Sequence, residues 1–158
     1  VPEKYTKSNW IWFTKGHHDY PAADIPVPDK TNIYSMTDGK VLYVANNGDK
    51  GGYGTLVTIE SDGGLIRYQH GTPGSITVKV NDMVKKGQKI MKSGYTGHVV
   101  PAGPQGSHLH LSIETGGSNQ VQRPERRCPQ ELFKAMKDSR NPARFNNLPQ
   151  TGCISGSL

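Results

Sequence analysis

The chain is 158 residues long with a formal net charge of +6, a length that fits one domain of ordinary size plus a tail and excludes two comfortable ones. No apolar run approaches the roughly 18 residues of a spanning helix, so no membrane span is expected. Arg123, Arg126, Arg127, Lys134, Lys137, Arg140 and Arg144 stand against Glu125, Glu131 and Asp138, which puts +4 of the charge after Gln120. Such a tail suits an anionic surface or is a solvated helix face; no nucleic-acid motif accompanies it, so no nucleic-acid partner is expected.

The chain begins at Val1, which reads as a processed or excised product. Residues 1–16 are polar around an aromatic knot, Trp10, Trp12 and Phe13, expected to pack on the body. In the next stretch Pro21, Pro26 and Pro28 forbid a helix and leave an edge strand or extended loop, carrying His17, His18, Asp19 and Asp24. From Asn32 the hydrophobic period is two. Ile33–Met36 and Val41–Ala45 flank Asp38-Gly39 and predict a hairpin, and Thr55–Glu60 and Leu65–His70 flank Ser61–Gly64 and predict a second. In the latter, strand alternation puts His70 on the face of Ile66 and Tyr68. Short strands continue through Ile76–Val80, Asn81–Ile90 and Met91–Gly94.

After the Gly/Pro loop 97–106 comes Ser107-His108-Leu109-His110-Leu111-Ser112-Ile113-Glu114. Alternation with Leu111 and Ile113 reads as a strand, in which His108 and His110 share one face about 7 Å apart. Helical spacing appears only in 129–137, through Leu132, Phe133 and Met136. Gly and Pro number 30 of 158 and separate short β-prone runs, so an all-β body with one late helix is expected. Cys128 and Cys153 are the only cysteines. They are too few for a thiolate zinc site and lack C-x-x-C spacing; a disulfide closing the tail in an oxidising compartment is expected, with two free thiols the alternative.

Seven elements in one order resemble the M23 family of zinc metallopeptidases, the LytM or lysostaphin type. They are His18–Asp24 with Pro28, Asp38-Gly39-Lys40-Val41, Gly52–Val57, Tyr68-x-His70, Val84–Gln88, Thr96-Gly97 and Ser107–His110, spread over residues 16–115. The resemblance implies a mainly β fold: an antiparallel β-sheet groove related to the barrel-sandwich hybrid, with long loops and one short C-terminal helix. It also implies a catalytic domain at 1–120, followed by a basic extension at 121–158. Zinc would be held by His18, Asp24 and His110, with His70 and His108 as catalytic histidines. The interval from His18 to Asp24 is longer than the family's commonest spacing, which leaves open whether His17 or His18 is the ligand. Which catalytic histidine is the base is also open. The implied activity is hydrolysis of amide bonds in peptidoglycan peptides by a secreted or extracytoplasmic enzyme, expected to act as a monomer.

The residue chemistry accords with that implication. Two imidazoles and a carboxylate leave a tetrahedral zinc one open position, the arrangement of catalytic rather than structural sites. Histidine suits proton transfer at neutral pH. His98 has no part in the pattern and is expected to be exposed. Two rivals from other classes are weaker. Val80–Gln88 resembles the hairpin of biotinyl and lipoyl carrier domains, but a carrier has no use for placed His and Asp residues. A non-catalytic M23-like domain that binds cell wall or activates a partner enzyme would have lost ligands, and here each position has an acceptable residue.

Overall fold

The regular elements are β1 (Ile11–Phe13), β2 (Ala22–Pro26), β3 (Asn32–Tyr34), β4 (Gly39–Ala45), β5 (Thr55–Ser61), β6 (Gly64–Gly71), β7 (Met83–Val84), β8 (Lys89–Lys92), β9 (His108–Thr115), β10 (Glu125–Arg127) and α1 (Gln130–Lys137). They come from a computed structural model that describes residues 11–13, 21–46, 53–99, 102–117, 121–138, 140–151 and 153. The fold is mainly antiparallel β. Eight strands form one sheet in the order β1-β2-β9-β6-β5-β4-β7, with β10 also on β9, and β3 and β8 form a second, two-stranded sheet. Along one flank of β9, β2 pairs with 108–111 and β10 with 113–115, end to end; β6 holds the other flank.

Alternation in β9 sends Leu109, Leu111 and Ile113 into the core, where they meet Ile66, Tyr68, Val57, Ile59, Ala23 and Ile25. Each such aliphatic side chain contributes roughly 1.5–3 kcal/mol by leaving water. The small sheet adds Ile33, Ile90 and Met91, and the tail adds Leu132, Phe133, Phe145 and Leu148 to the same cluster. The Tyr68 phenol accepts the Met36 N–H at 2.9 Å, and burial pushes its pKa to about 12.

The β5–β6 hairpin is as expected: Ser61 pairs with Gly64, and Asp62 and Gly63 both have positive φ (52° and 76°). Only a primed turn, whose twist matches the strands, has that pair of values. The other predicted hairpin does not form. β3 pairs with β8, and β4 pairs with β5 and β7. The backbone between β3 and β4 is satisfied elsewhere: Ser35 exchanges hydrogen bonds with Gln88 and Gly87, and Met36 gives its N–H to Tyr68. The proline-bounded strand is not at an edge either. β2 lies between β1 and β9, and this is compatible with proline because Pro21 precedes the strand while Pro26 lies past the last residue that β1 covers. Residues 76–80 form no strand. The late helix is present. Cys128 and Cys153 are disulfide-bonded, with Cα atoms 5.3 Å apart.

Candidate metal and catalytic site

The pairing of β2, β9 and β6 lays Asp24, His110 and Gln69 side by side in one row across the sheet, on the face opposite the core. His110 Nδ1 lies 2.8 Å from Asp24 Oδ1. His108, two residues along the same face, places Nε2 3.6 Å from that same oxygen. Asp24 and His110 come from segments 86 positions apart, and it is the β2–β9 register that brings them together. Both are buried.

His70 reaches the cluster by breaking the strand pattern. Between the Thr55–Gly71 and Val57–Tyr68 pairs β6 carries one residue more than β5, a β-bulge at Gln69–His70. His70 there has φ of +65°, a left-handed conformation costly for any residue but glycine and typical of functional sites. Strict alternation would have sent its ring to the core beside Ile66 and Tyr68. The bulge turns it over instead, and its centroid sits 4.8 Å from that of His108 and 5.8 Å from that of His110. The expected face was therefore wrong, because alternation holds only where the ladder is regular.

Two backbone carbonyls orient these rings. His70 Nδ1 lies 2.7 Å from the Thr96 carbonyl oxygen and His108 Nδ1 2.7 Å from that of Gly106. A carbonyl oxygen only accepts, so each Nδ1 carries the hydrogen. His108 Nε2 is buried with no hydrogen-bond partner among the described residues, a costly condition unless the atom has chemistry to do. Burial, and next the neighbouring His108, holds the His70 pKa down at about 3, so this imidazole rests neutral.

Thr96 ties the bulge together, a role the sequence did not disclose although Thr96-Gly97 stood out as a motif. Besides receiving His70, its hydroxyl donates to the Gly71 carbonyl at 2.6 Å and accepts the Thr55 N–H at 2.9 Å, replacing ladder bonds the bulge interrupts. Gly54 makes room for it: with φ of +69°, a Cβ there would lie 2.4 Å from Thr96 Oγ1.

Asp24 and His110 are oxygen and nitrogen donors of the kind zinc takes, and the unpartnered Nε2 of His108 faces the same carboxylate. The residues present thus fit a zinc site in donor chemistry. His17 and His18, the two candidates for the third donor, lie outside the described residues, and among the described residues no group of three or more His, Cys, Asp or Glu could hold an ion. His98 is exposed, as expected.

Residues 18–122 match Peptidase family M23. Peptidoglycan DD-endopeptidase ShyB of Vibrio cholerae is 36% identical over 90 residues, covering 57% of this chain and 19% of that protein. Among solved structures, a zinc-containing peptidase from Vibrio cholerae aligns with a TM-score of 0.58 and 29% identity over 72% of this chain and 34% of that one. The catalytic domain of the antimicrobial peptidase lysostaphin from Staphylococcus simulans aligns with a TM-score of 0.61 and 25% identity over 84% of this chain and 94% of that one. The chain spans between 19% and 37% of the length of the curated relatives it matches.

Proposed function

Because the chain belongs to peptidase family M23, we propose that it is a zinc-dependent endopeptidase acting outside the cytoplasm on amide bonds in the stem or cross-bridge peptides of bacterial peptidoglycan. The observation that carries this reading is the convergence of His70, His108 and His110 with Asp24 on one sheet face, with the His70 and His108 rings each anchored at Nδ1 by a backbone carbonyl. The similarity to a peptidoglycan DD-endopeptidase and to a zinc-containing peptidase supports the substrate class and the metal. Residues 1–120 carry the chemistry in this reading, and 121–158 extend it.

His18, Asp24 and His110 would hold the ion. When bound, zinc supplies Lewis acidity to the scissile carbonyl and brings the pKa of water towards neutrality. The chain's own part is proton management. His70 rests as a neutral imidazole, and it or His108 takes the proton from the attacking water and, as imidazolium, returns it to the leaving amine. The carbonyls of Gly106 and Thr96 hold both rings by Nδ1–H and stabilise the charge that forms on them. Proton transfer and charge stabilisation of this kind are each worth about 10²- to 10⁴-fold in rate.

The test is zinc content measured beside cell-wall hydrolysis. His110→Ala is expected to lose zinc and hydrolysis together, whereas His108→Ala and His70→Ala are expected to keep zinc and lose roughly 10²- to 10⁴-fold in rate. Walls of several chemotypes, with new amino termini identified by mass spectrometry, would distinguish glycyl-glycine from D-alanyl bonds. The reading fails if the zinc-loaded protein releases no new amino terminus from any of them. Zinc lost from His108→Ala and kept by His110→Ala would reverse the ligand assignment.

A further inference from the structure

A cavity of about 270 Å³ opens beside the histidines, lined by Tyr43, Tyr53, Leu56, Thr58, Arg67, Val121 and Gln122. The strand register places it. Tyr43, Thr58, Arg67 and Ser112 lie side by side across β4, β5, β6 and β9, and this row is two residues along from the row of Gln69, His110 and Asp24, on the same face. Two residues of strand are about 7 Å, and each strand crossed adds about 4.8 Å. Tyr53 links the two places directly, since its carbonyl accepts the His70 N–H at 3.0 Å.

Two properties of the lining point to a ligand. Among the described residues six large hydrophobic side chains are exposed, and three of them, Tyr43, Tyr53 and Val121, line this cavity; apolar exposure concentrated around a concavity marks a binding site. Among the described residues of the lining the only charged side chain is Arg67, and its charge is already matched. Its Nη1 and Nη2 lie 3.1 and 3.5 Å from the Glu114 carboxylate, Nη2 donates to the Val121 carbonyl at 3.0 Å, and Nε faces Thr58 Oγ1 at 3.4 Å. The remaining polar side-chain groups of the described lining are hydroxyls and the Gln122 carboxamide.

We propose that this cavity is a specificity subsite that takes an uncharged, amide-bearing residue of the substrate peptide two to four positions from the scissile bond. The inference rests on the endopeptidase reading. An extended peptide advances 3.3–3.6 Å per residue, so a chain held at the histidines and running over β6 towards β4 reaches the cavity within that interval. At about 270 Å³ the cavity is far larger than a methyl or a glycyl unit needs. A guest carboxylate would compete with Glu114 for Arg67, and a guest ammonium would face the Arg67 guanidinium. A carboxamide meets neither penalty and pairs with hydroxyls and Gln122.

The experiment uses the zinc-loaded protein and synthetic stem peptides, with glycyl and D-alanyl cross-bridges, that carry either a carboxamide or a carboxylate at each position two to four residues from the cut. At one position the carboxamide form is expected to be favoured by about tenfold or more in kcat/KM, because burying an unpaired charge in a built site is penalised. Tyr43→Ala, and Val121→Ser as a second variant at a more exposed position, are expected to raise KM for that peptide severalfold and to leave kcat unchanged on a short peptide lacking the residue. Binding of the same peptides to zinc-loaded His108→Ala, followed by calorimetry, gives a readout independent of turnover. Cleavage with carboxamide and carboxylate forms equal within twofold at all positions overturns the subsite and leaves the endopeptidase standing. Carboxamide-selective binding by a wild-type protein that cleaves nothing supports the subsite and overturns the endopeptidase.

Discussion

His70 shows how one residue's conformation decides its chemistry. Its left-handed backbone and the Thr96 carbonyl together place its ring in the cluster, and the Thr96 hydroxyl secures the bulge that makes this possible. Thr96→Val keeps the shape but leaves the Gly71 carbonyl and the Thr55 N–H without their partner, so it is expected to cost about 1–3 kcal/mol of stability and to lower hydrolysis, while Thr96→Ser restores both. Urea melts beside wall-hydrolysis rates check this; loss in Thr96→Ser with Thr96→Val at the wild-type level would show that the methyl, not the hydroxyl, matters. The pH dependence of stability follows from the same ring. Unfolded, His70 binds a proton near its ordinary pKa of 6.5, whereas folded it does so only near 3. The unfolded chain therefore holds the extra proton between these values, so His70 contributes stability that is fully present above about pH 6.5 and is lost as pH falls towards 3. Urea melts of zinc-free protein from neutral pH down to about pH 4 are expected to show a slope that His70→Gln flattens; an unchanged slope would contradict it.

At the scale of elements, what was readable in the sequence and what was not divides along local against non-local information. The parity of His108 and His110 is a property of one strand, and Leu111 and Ile113 declared it. The β5–β6 hairpin was equally local, since Asp62-Gly63 permits few other turns. The pairing of β3 with β8 was not local: Asp38-Gly39 looks like a hairpin bend, yet the Asp38 carboxylate receives the Lys86 N–H at 2.7 Å and the chain carries on into a different sheet. The bulge at His70 likewise depends on Thr96, 26 positions away. Asp24 was reachable only through the family resemblance, because its partner strand lies 86 positions further on. The disulfide is an element-scale constraint as well. Closing the 25-position separation between Cys128 and Cys153 is worth about 3 kcal/mol by the loop-entropy account. Cys128→Ser with Cys153→Ser is expected to lower the melting temperature while zinc content stays stoichiometric, because no site residue lies in the closed loop. Loss of zinc in that variant would show that the tail supports the metal site.

The whole molecule divides its positive charge between two kinds of work. The arginines Arg67, Arg123, Arg127, Arg140 and Arg144 each meet a carboxylate, so much of the basic tail read from sequence is spent on internal docking. Lys79, Lys85, Lys86, Lys89 and Lys92 enter no ion pair among the described residues and leave their charge to solvent. Arg67 and Glu114 are the pair on which docking turns: both are buried, Glu114 also accepts the Arg123 N–H at 2.8 Å, and Arg67 holds the Val121 carbonyl. They therefore pin residues 121–123 to β6 and β9 and with them the wall of the cavity. Removing one member strands the other charge out of water, so Arg67→Ala is expected to cost about 3–5 kcal/mol. Glu114→Gln keeps an acceptor for the Arg123 N–H but leaves Arg67 without its counter-charge, and is expected to destabilise less. Lys85→Ala with Lys86→Ala, two exposed and unpaired charges, should stay within about 0.5 kcal/mol of wild type per site. Urea unfolding of the three variants at one ionic strength measures the ranking, and a lysine variant as destabilised as Arg67→Ala would mean that the charge which holds this fold together lies elsewhere.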